Sequence, residues 1–333
     1  MVAEDRQQDS YPHGGAPRRS VLAAAALAPV LAGAPSPARA LSTGTAEVNS
    51  RGLMKPVSTG LSHWKSVAKT LGRAGDMKRK IMYHTAFPRH DLRVKSRHVV
   101  VKPALALGSH VSFVRYADKS TMMMGDVVVT EHEMQPFTDA LYEHKIGLTA
   151  IHKHLLSQNP HIWWIHVHAH GHHPLALARG LRAAFNRTDT PPPLPSTRRQ
   201  HIDLDTAGID AALGVKGSAD DGIYKCVFVR RETITDGNRV LPPGLGSTSA
   251  FNFQPLGDGR AAISGDCAMI AKEVQHVLMA LRRAGAELVE LHNHGLTDEP
   301  RLFFVHFWAV GDGVRLARRL RAAVDATNVV PAG

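Results

Sequence analysis

The sequence predicts an α+β fold made of two tandem copies of a β-β-α-β-β-α-like unit, with antiparallel sheets and helices packed on one face. Three observations carry the prediction. The chain is internally duplicated: Phe113, Gly125-Asp126, Glu133, His152, His154, His166 and Gly171 each meet an identical residue 140 positions later, at Phe253, Gly265-Asp266, Glu273, His292, His294, His306 and Gly311. Short β-rich runs alternate with stretches of helical period, and strands follow one another through short turns. The composition, 333 residues with 44% hydrophobic and 21% charged, is that of a globular chain long enough for roughly two domains.

The first forty residues read as an export signal. Arg18-Arg19 precedes an apolar run from Val21 to Ala34, and Ala38-Arg39-Ala40 offers small residues where a signal peptidase reads them. The run falls short of the roughly 20 residues of a membrane span. The paired arginine points to the twin-arginine route, which exports folded proteins. Cleavage after Ala40 leaves a chain starting at Leu41, located on the extracytoplasmic side, and no later apolar stretch is long enough to span a membrane.

Residues 41–64 form a polar lead-in, 65–188 the first repeat, 189–206 a proline-rich linker and 207–330 the second repeat. In repeat 1, Lys80–Phe87, Val111–Tyr116 and Met122–Val129 read as strands. A helix follows from Glu131 to about His144, with Met134, Phe137, Leu141 and Tyr142 on one face. Leu148–Leu155 and Ile162–His168 read as strands joined by a turn at Ser157-Gln158-Asn159-Pro160. A last helix runs from Pro174 to Phe185, with proline at an early position. Repeat 2 gives helices near Lys272–Ala284 and Gly313–Ala323. Upstream of the strands, Leu71-Gly72 matches Leu213-Gly214, and Tyr83, Phe87 and Arg89 match Tyr224, Phe228 and Arg230.

Histidine is the anomaly. There are 21, and 14 of them lie from His84 to His173. Residues i and i+2 of a strand share a face, so His152 and His154 project together, and His166 on the next strand converges with them. His292, His294 and His306 repeat the pattern. Three imidazoles plus a carboxylate suit a divalent transition metal, zinc first, with Cu, Mn, Fe or Ni as alternatives. Glu133 and Glu273, each 19 residues before its His-x-His pair, are the candidate fourth ligands.

Each assignment has a plainer reading. Thr130-Glu131-His132-Glu133 is a capping box. Repeat 2 has Ile270 in place of Thr130 yet keeps Glu273, which favours a role beyond capping. Asp126 and Asp266, each after a glycine, read as turn formers, with support of a histidine as the alternative. His168, His170, His172 and His173 have no counterparts in repeat 2 and read as solvated surface or as extra ligands. Lys153 stands where repeat 2 has Asn293, and strand alternation turns it away from the metal. Trp163-Trp164 and Phe303-Phe304 read as core, and Arg179, Arg182, Arg318, Arg319 and Arg321 as solvated helix faces.

Several classes are excluded. Two cysteines, Cys226 and Cys267, cannot build a disulfide-dense scaffold or a four-cysteine zinc site; they either pair or stay as buried thiols. There is no Gly-x-Ser-x-Gly elbow and no Walker loop. Lys and Arg outnumber Asp and Glu 40 to 29, but the charge is spread along the chain, so no specific nucleic-acid partner is implied.

Leu291-His292-Asn293-His294, Pro300-Arg301-Leu302-Phe303-Phe304-Val305-His306-Phe307-Trp308 and Leu316-Ala317-Arg318 together resemble the LppY/LpqO family of bacterial proteins. So do Leu213-Gly214, Gly222-Ile223-Tyr224, Leu241-Pro242-Pro243-Gly244-Leu245-Gly246 and Gly265-Asp266. The resemblance covers both repeats, and repeat 1 departs from it at Lys153 and in its surplus of histidines. It implies an exported protein, in some members a lipoprotein, and supplies no activity.

Three functions compete. The first is an exported metal-binding protein with three histidines and one glutamate in one or both repeats, serving metal handling or the cell envelope. The second is a metal-dependent enzyme of hydrolase or lyase type, using an open coordination position on a small molecule, with Glu273 or Asp266 as general base. The third is a binding module for an anionic envelope polymer, driven by net positive charge.

Overall fold

In the computed structural model, which describes residues 52–194 and 201–332, each repeat folds as one antiparallel sheet with helices on its outer side. The segment read as an export signal, the first residues of the lead-in and part of the linker lie outside the described residues.

Repeat 1 comprises α1 (Lys65–Leu71), β1 (Met82–Pro88), β2 (Gly108–Arg115), β3 (Thr121–Thr130), α2 (Glu131–Glu143), β4 (Gly147–His152), β5 (Ile162–Gly171) and α3 (Pro174–Phe185). Repeat 2 comprises α4 (Thr206–Leu213), β6 (Ile223–Arg230), β7 (Thr248–Gly257), β8 (Arg260–Ile270), α5 (Val274–Ala284), β9 (Glu287–His292), β10 (Leu302–Asp312) and α6 (Gly313–Asp325). Three long strands therefore precede the helix in each copy, as the three strand runs read in repeat 1 require and one more than the β-β-α shorthand counts. The spatial order is β1-β2-β3-β5-β4, and β6-β7-β8-β10-β9 in the second sheet, with short edge strands outside β1 and β6.

Local chemistry sets the boundaries. Thr130 caps α2 by accepting from the Glu133 amide, and Glu133 returns a carboxylate oxygen to the Thr130 amide. Asp312 caps α6 by accepting from the Arg315 amide at 2.7 Å. Gly285 ends α5 in the left-handed region, at φ 86°, where a side chain would be strained. Met134, Phe137 and Leu141 are buried along α2, as their spacing requires, but Tyr142 is exposed, one step off the buried stripe. The segment Ser157–Pro160 is more than a hairpin turn. Its Gln158–Asn159 joins Lys95–Ser96 and Val99–Val100 in a small three-stranded sheet, and Asp298–Glu299 does the same with Thr235–Asp236 and Arg239–Val240.

Strand alternation divides every sheet into two faces. Val127, Val129, Ile165 and Val167 pack outward against α2 and α3, and Val305 and Phe307 do the same against α5 and α6. The inner faces meet each other. Val128 and Trp164 of repeat 1 share one apolar cluster with Ile223, Ala262 and Trp308 of repeat 2, and Met82, Met122 and Met124 share another with Ala268, Leu302 and Phe304. The molecule is thus a four-layer arrangement, helices–sheet–sheet–helices, with an inter-repeat seam of two apolar clusters. Along β10 the inner face reads Leu302, Phe304, His306, Trp308. His306 therefore falls between a residue of one cluster and a residue of the other. The polar centre of the molecule lies at that point.

Candidate metal centre

The six predicted histidines come together, and they do so once. His152 ends β4 and His154 follows it; His166 lies on β5, opposite Ala150 on one side and Asp126 on the other. Repeat 2 repeats this with His292, His294 and His306, where His306 pairs with Asp266 and Glu290. Because the inner faces meet, the two sets interleave. His152 stacks on His292 with ring centroids 4.1 Å apart, His154 lies 3.8 Å from His306, and His166 lies 4.0 Å from His294. The expectation of a separate three-histidine site within a repeat is corrected: one centre is built jointly by both.

Its polar atoms are arranged as ligand sets. His152 Nε2 lies 2.9 Å from His154 Nε2, and His154 Nε2 lies 3.1 Å from Asp126 Oδ2. Two donors held about 2.1 Å from one ion stand about 3.0–3.4 Å apart, so these separations fit a shared cation. Two further groups, His152/His292/His306 and His166/His292/His294, also place their donor atoms within 4.8 Å of one another, and both draw on the two repeats. His166 Nδ1 is held 3.3 Å from the Gly125 carbonyl and His306 Nδ1 3.3 Å from the Gly265 carbonyl, which aims the opposite nitrogen of each ring at the centre. His166 Nε2, His306 Nε2, His294 Nε2 and both nitrogens of His292 are buried with no hydrogen-bond partner. Buried imidazole nitrogens are costly to leave unpaired. A cation is what this donor set fits.

Electrostatics agree. Burial, and then the neighbouring imidazoles, lower the pKa of every ring: His292 to about 2, His166 to about 4, and His152, His154, His294 and His306 well below the ordinary value. All six are neutral at pH 7, the form that ligates metal. Burial raises the Asp126 carboxyl, and burial followed by the nearby Asp126 raises Asp266. A cation held beside these carboxylates would oppose that effect.

Glu133 and Glu273 stand apart from the histidines, each held by an arginine. Glu133 takes Arg89 through both oxygens, at 2.7 and 3.1 Å, and also accepts from the amides of Thr130 and Asp189. Glu273 is held the same way by Arg230 and by the amides of Ile270 and Asn328. Their oxygens are consumed by a buried ion pair and a helix start, so Glu273 persists without a capping hydroxyl because Arg230 needs it. The matched pair Arg89 and Arg230, with Asp91 and Glu232 two residues on, is the sequence signal for this partner.

The carboxylates at the centre are instead Asp126 and Asp266. Both lie inside strands, β3 and β8, rather than at turns. Trp164 and Phe304, read as core, are buried and also carry the outer rings: His154 stacks on Trp164 at 4.4 Å and His294 on Phe304 at 3.4 Å. Lys153 points away, with its ammonium 4.3 Å over the Trp163 ring and its amide donating to Glu290 Oε2. His168 is not free surface, since its Nε2 lies 2.9 Å from Asp236 Oδ2 of repeat 2. Cys226 and Cys267 are buried free thiols. Arg182 and Arg321 are not merely solvated; they donate to the Leu71 and Leu213 carbonyls at the ends of α1 and α4.

A cavity of about 440 Å³ adjoins the centre, with His154, His166, His294, His306, Asp126 and Asp266 in its wall. His152 and His292 lie behind it. Among the described residues, no helix is long and apolar enough to cross a membrane.

Two solved structures show a remote likeness. EtuB from Clostridium kluyveri is 12% identical over 74% of this chain and 86% of its own, with a TM-score of 0.17. The trimeric bacterial microcompartment shell protein PduB is 11% identical over 75% and 92%, also with a TM-score of 0.17. No curated protein matches. The family described as Domain of Unknown Function (DUF1259) matches twice, over residues 65–187 and 207–326, the two repeats recognised from their histidine spacing. The chain belongs to that family and carries two copies of its domain.

Proposed function

We propose that this protein is an exported metal-binding protein whose two repeats jointly hold a divalent transition metal, zinc first, with its ligands drawn from His152, His154, His166, His292, His294 and His306 and with Asp126 and Asp266 beside them. The observation that carries the reading is the convergence of buried, neutral imidazole nitrogens that have no other partner. A structural core has no reason to bury so many unpaired polar nitrogens, because each costs about 1–3 kcal/mol. The LppY/LpqO resemblance and the paired-arginine leader support export, and a protein exported folded can carry its metal with it.

Metal content decides the matter. Untagged protein should contain metal by elemental analysis, and the double variant His292→Ala, His294→Ala should lose it. Sub-stoichiometric metal unaffected by that variant would sink the proposal. The cavity favours one second reading, a metal-dependent enzyme in which Asp126 or Asp266 takes a proton from a small molecule bound against the centre. Neutral imidazoles leave the cation's charge uncompensated, so a bound ion would polarise such a ligand. Displacement of a metal-bound water by an added anion, seen in the Co²⁺ spectrum, distinguishes this reading from a centre saturated by protein.

A further inference from the structure

The surplus histidines of repeat 1 form a file along β5. His166, His168 and His170 alternate on one strand face, so neighbouring rings start about 6.6 Å apart. Their exposure falls inward: His170 is exposed, His168 half-buried and His166 buried at the centre. At the outer end His172 follows, its ring centroid 6.5 Å from that of His170. In repeat 2 the same positions are Trp308 and Val310, and Trp308 is buried in the inter-repeat core, so that side of the seam is closed.

Around His168 the structure leaves a second cavity of about 220 Å³, lined by His168, Asp236 and Asp298 among apolar neighbours. Asp236 lies 2.9 Å from His168 and also accepts from Thr297, which fixes the carboxylate in place. An imidazole nitrogen and a carboxylate oxygen at that separation can share a cation. Met124 and Gly246 line this cavity and the larger one alike, so the two are separated by a methionine side chain and a glycine. The Gly246 carbonyl also holds His294 Nδ1 at 3.3 Å. A thioether is flexible and a soft, weak donor, a wall that can move aside for a metal ion.

We infer that His170, His168 and Asp236 form the entry route for the metal, with His168 and Asp236 as a two-ligand staging site that passes the ion by Met124 to the buried centre. This rests on the metal-binding reading above. Two protein ligands with water completing the shell bind weakly, as a transfer site requires, whereas the centre offers three or more.

The test is the rate of Zn²⁺ and Co²⁺ uptake by the full-length apoprotein, followed by transfer from a chromophoric chelator. His168→Gln and Asp236→Asn should each slow uptake by at least roughly tenfold, the scale on which partners outside the ligand set act. The final metal stoichiometry and the Co²⁺ absorption spectrum of the loaded protein should match wild type. His170→Ala should slow uptake less. Uptake at the wild-type rate in both His168→Gln and Asp236→Asn overturns the route, and so does a changed Co²⁺ spectrum, which would make His168 a ligand of the centre itself. If one variant does not fold, the other carries the test. Wild-type protein that takes up no metal refutes the metal-binding reading instead, so the two failures are distinct.

Discussion

At the scale of single residues, the repeat supplies its own controls. His152 belongs to two of the candidate ligand groups, one of them shared with His292 and His306. His152→Ala should therefore deplete metal held by both repeats, whereas alanine at the exposed His132 should leave metal content unchanged; elemental analysis of both variants checks this. Glu133→Gln should behave differently. It removes one partner of a buried ion pair, so unfolding free energy should fall by about 3–5 kcal/mol while metal per folded molecule stays constant. Because Arg89, and after it the amides of Asp189 and Thr130, hold Glu133, its carboxyl lies below the ordinary value despite burial. Its contribution to stability is thus complete above the unfolded glutamate pKa and is lost as pH falls through the lower folded one. Why the sequence misassigned these glutamates is plain: spacing shows that a residue is retained in both copies, and does not show which neighbour retains it. Arg89 and Arg230 were visible as matched residues, but their partners lie 44 and 43 positions away.

At the scale of elements, the glycine before each central aspartate is a packing requirement. Gly265 lies opposite Phe307 across β8 and β10, and a Cβ there would fall 2.2 Å from the phenylalanine ring and 3.0 Å from the Ala250 carbonyl. At Gly125 the conflict is with the His110 carbonyl, at 2.5 Å. Gly265→Ala should lower stability by about 1–3 kcal/mol and, by shifting the carbonyl that aims His306, weaken metal retention as well. Thermal melts with and without metal measure the two effects, and a variant as stable as wild type would show that Phe307 moves aside at no cost. Strand faces were the most legible feature of this chain. Period-2 alternation put His152 and His166 on one side of the sheet correctly, since that inference needs only Cβ geometry, whereas the strand read as reaching Leu155 ends at His152 and His154 joins them from just beyond it. The Asp126 turn reading failed because Gly-Asp is a turn signal only where the strand can end, and here the strand continues to Thr130.

At the scale of the whole molecule, the duplication announces two units and is silent on how they meet. Each repeat shows an inner face bearing apolar residues and histidines, and only the fold shows that the cover of that face is the other repeat. Joining the faces puts six imidazoles into one buried seam, and a pH dependence follows. In the unfolded chain each histidine titrates near its ordinary value of about 6.5. In the folded protein burial lowers His166 to about 4, against the opposing pull of Asp126, and burial followed by the neighbouring His306 and His154 lowers His292 to about 2. Well above pH 6.5 these rings are neutral in both states and add no pH dependence. Below it the unfolded chain takes up protons that the folded centre refuses, so stability falls as pH drops, by up to about 1.4 kcal/mol per pH unit for each such ring. For His166 the loss runs from about 6.5 down to about 4, and for His292 it continues below that. The melting temperature of metal-free protein should therefore decline steeply between pH 6.5 and 4.5, and less steeply in His166→Asn, which removes one titrating ring. A melting temperature flat across that window would mean that the seam admits water and the imidazoles protonate in place.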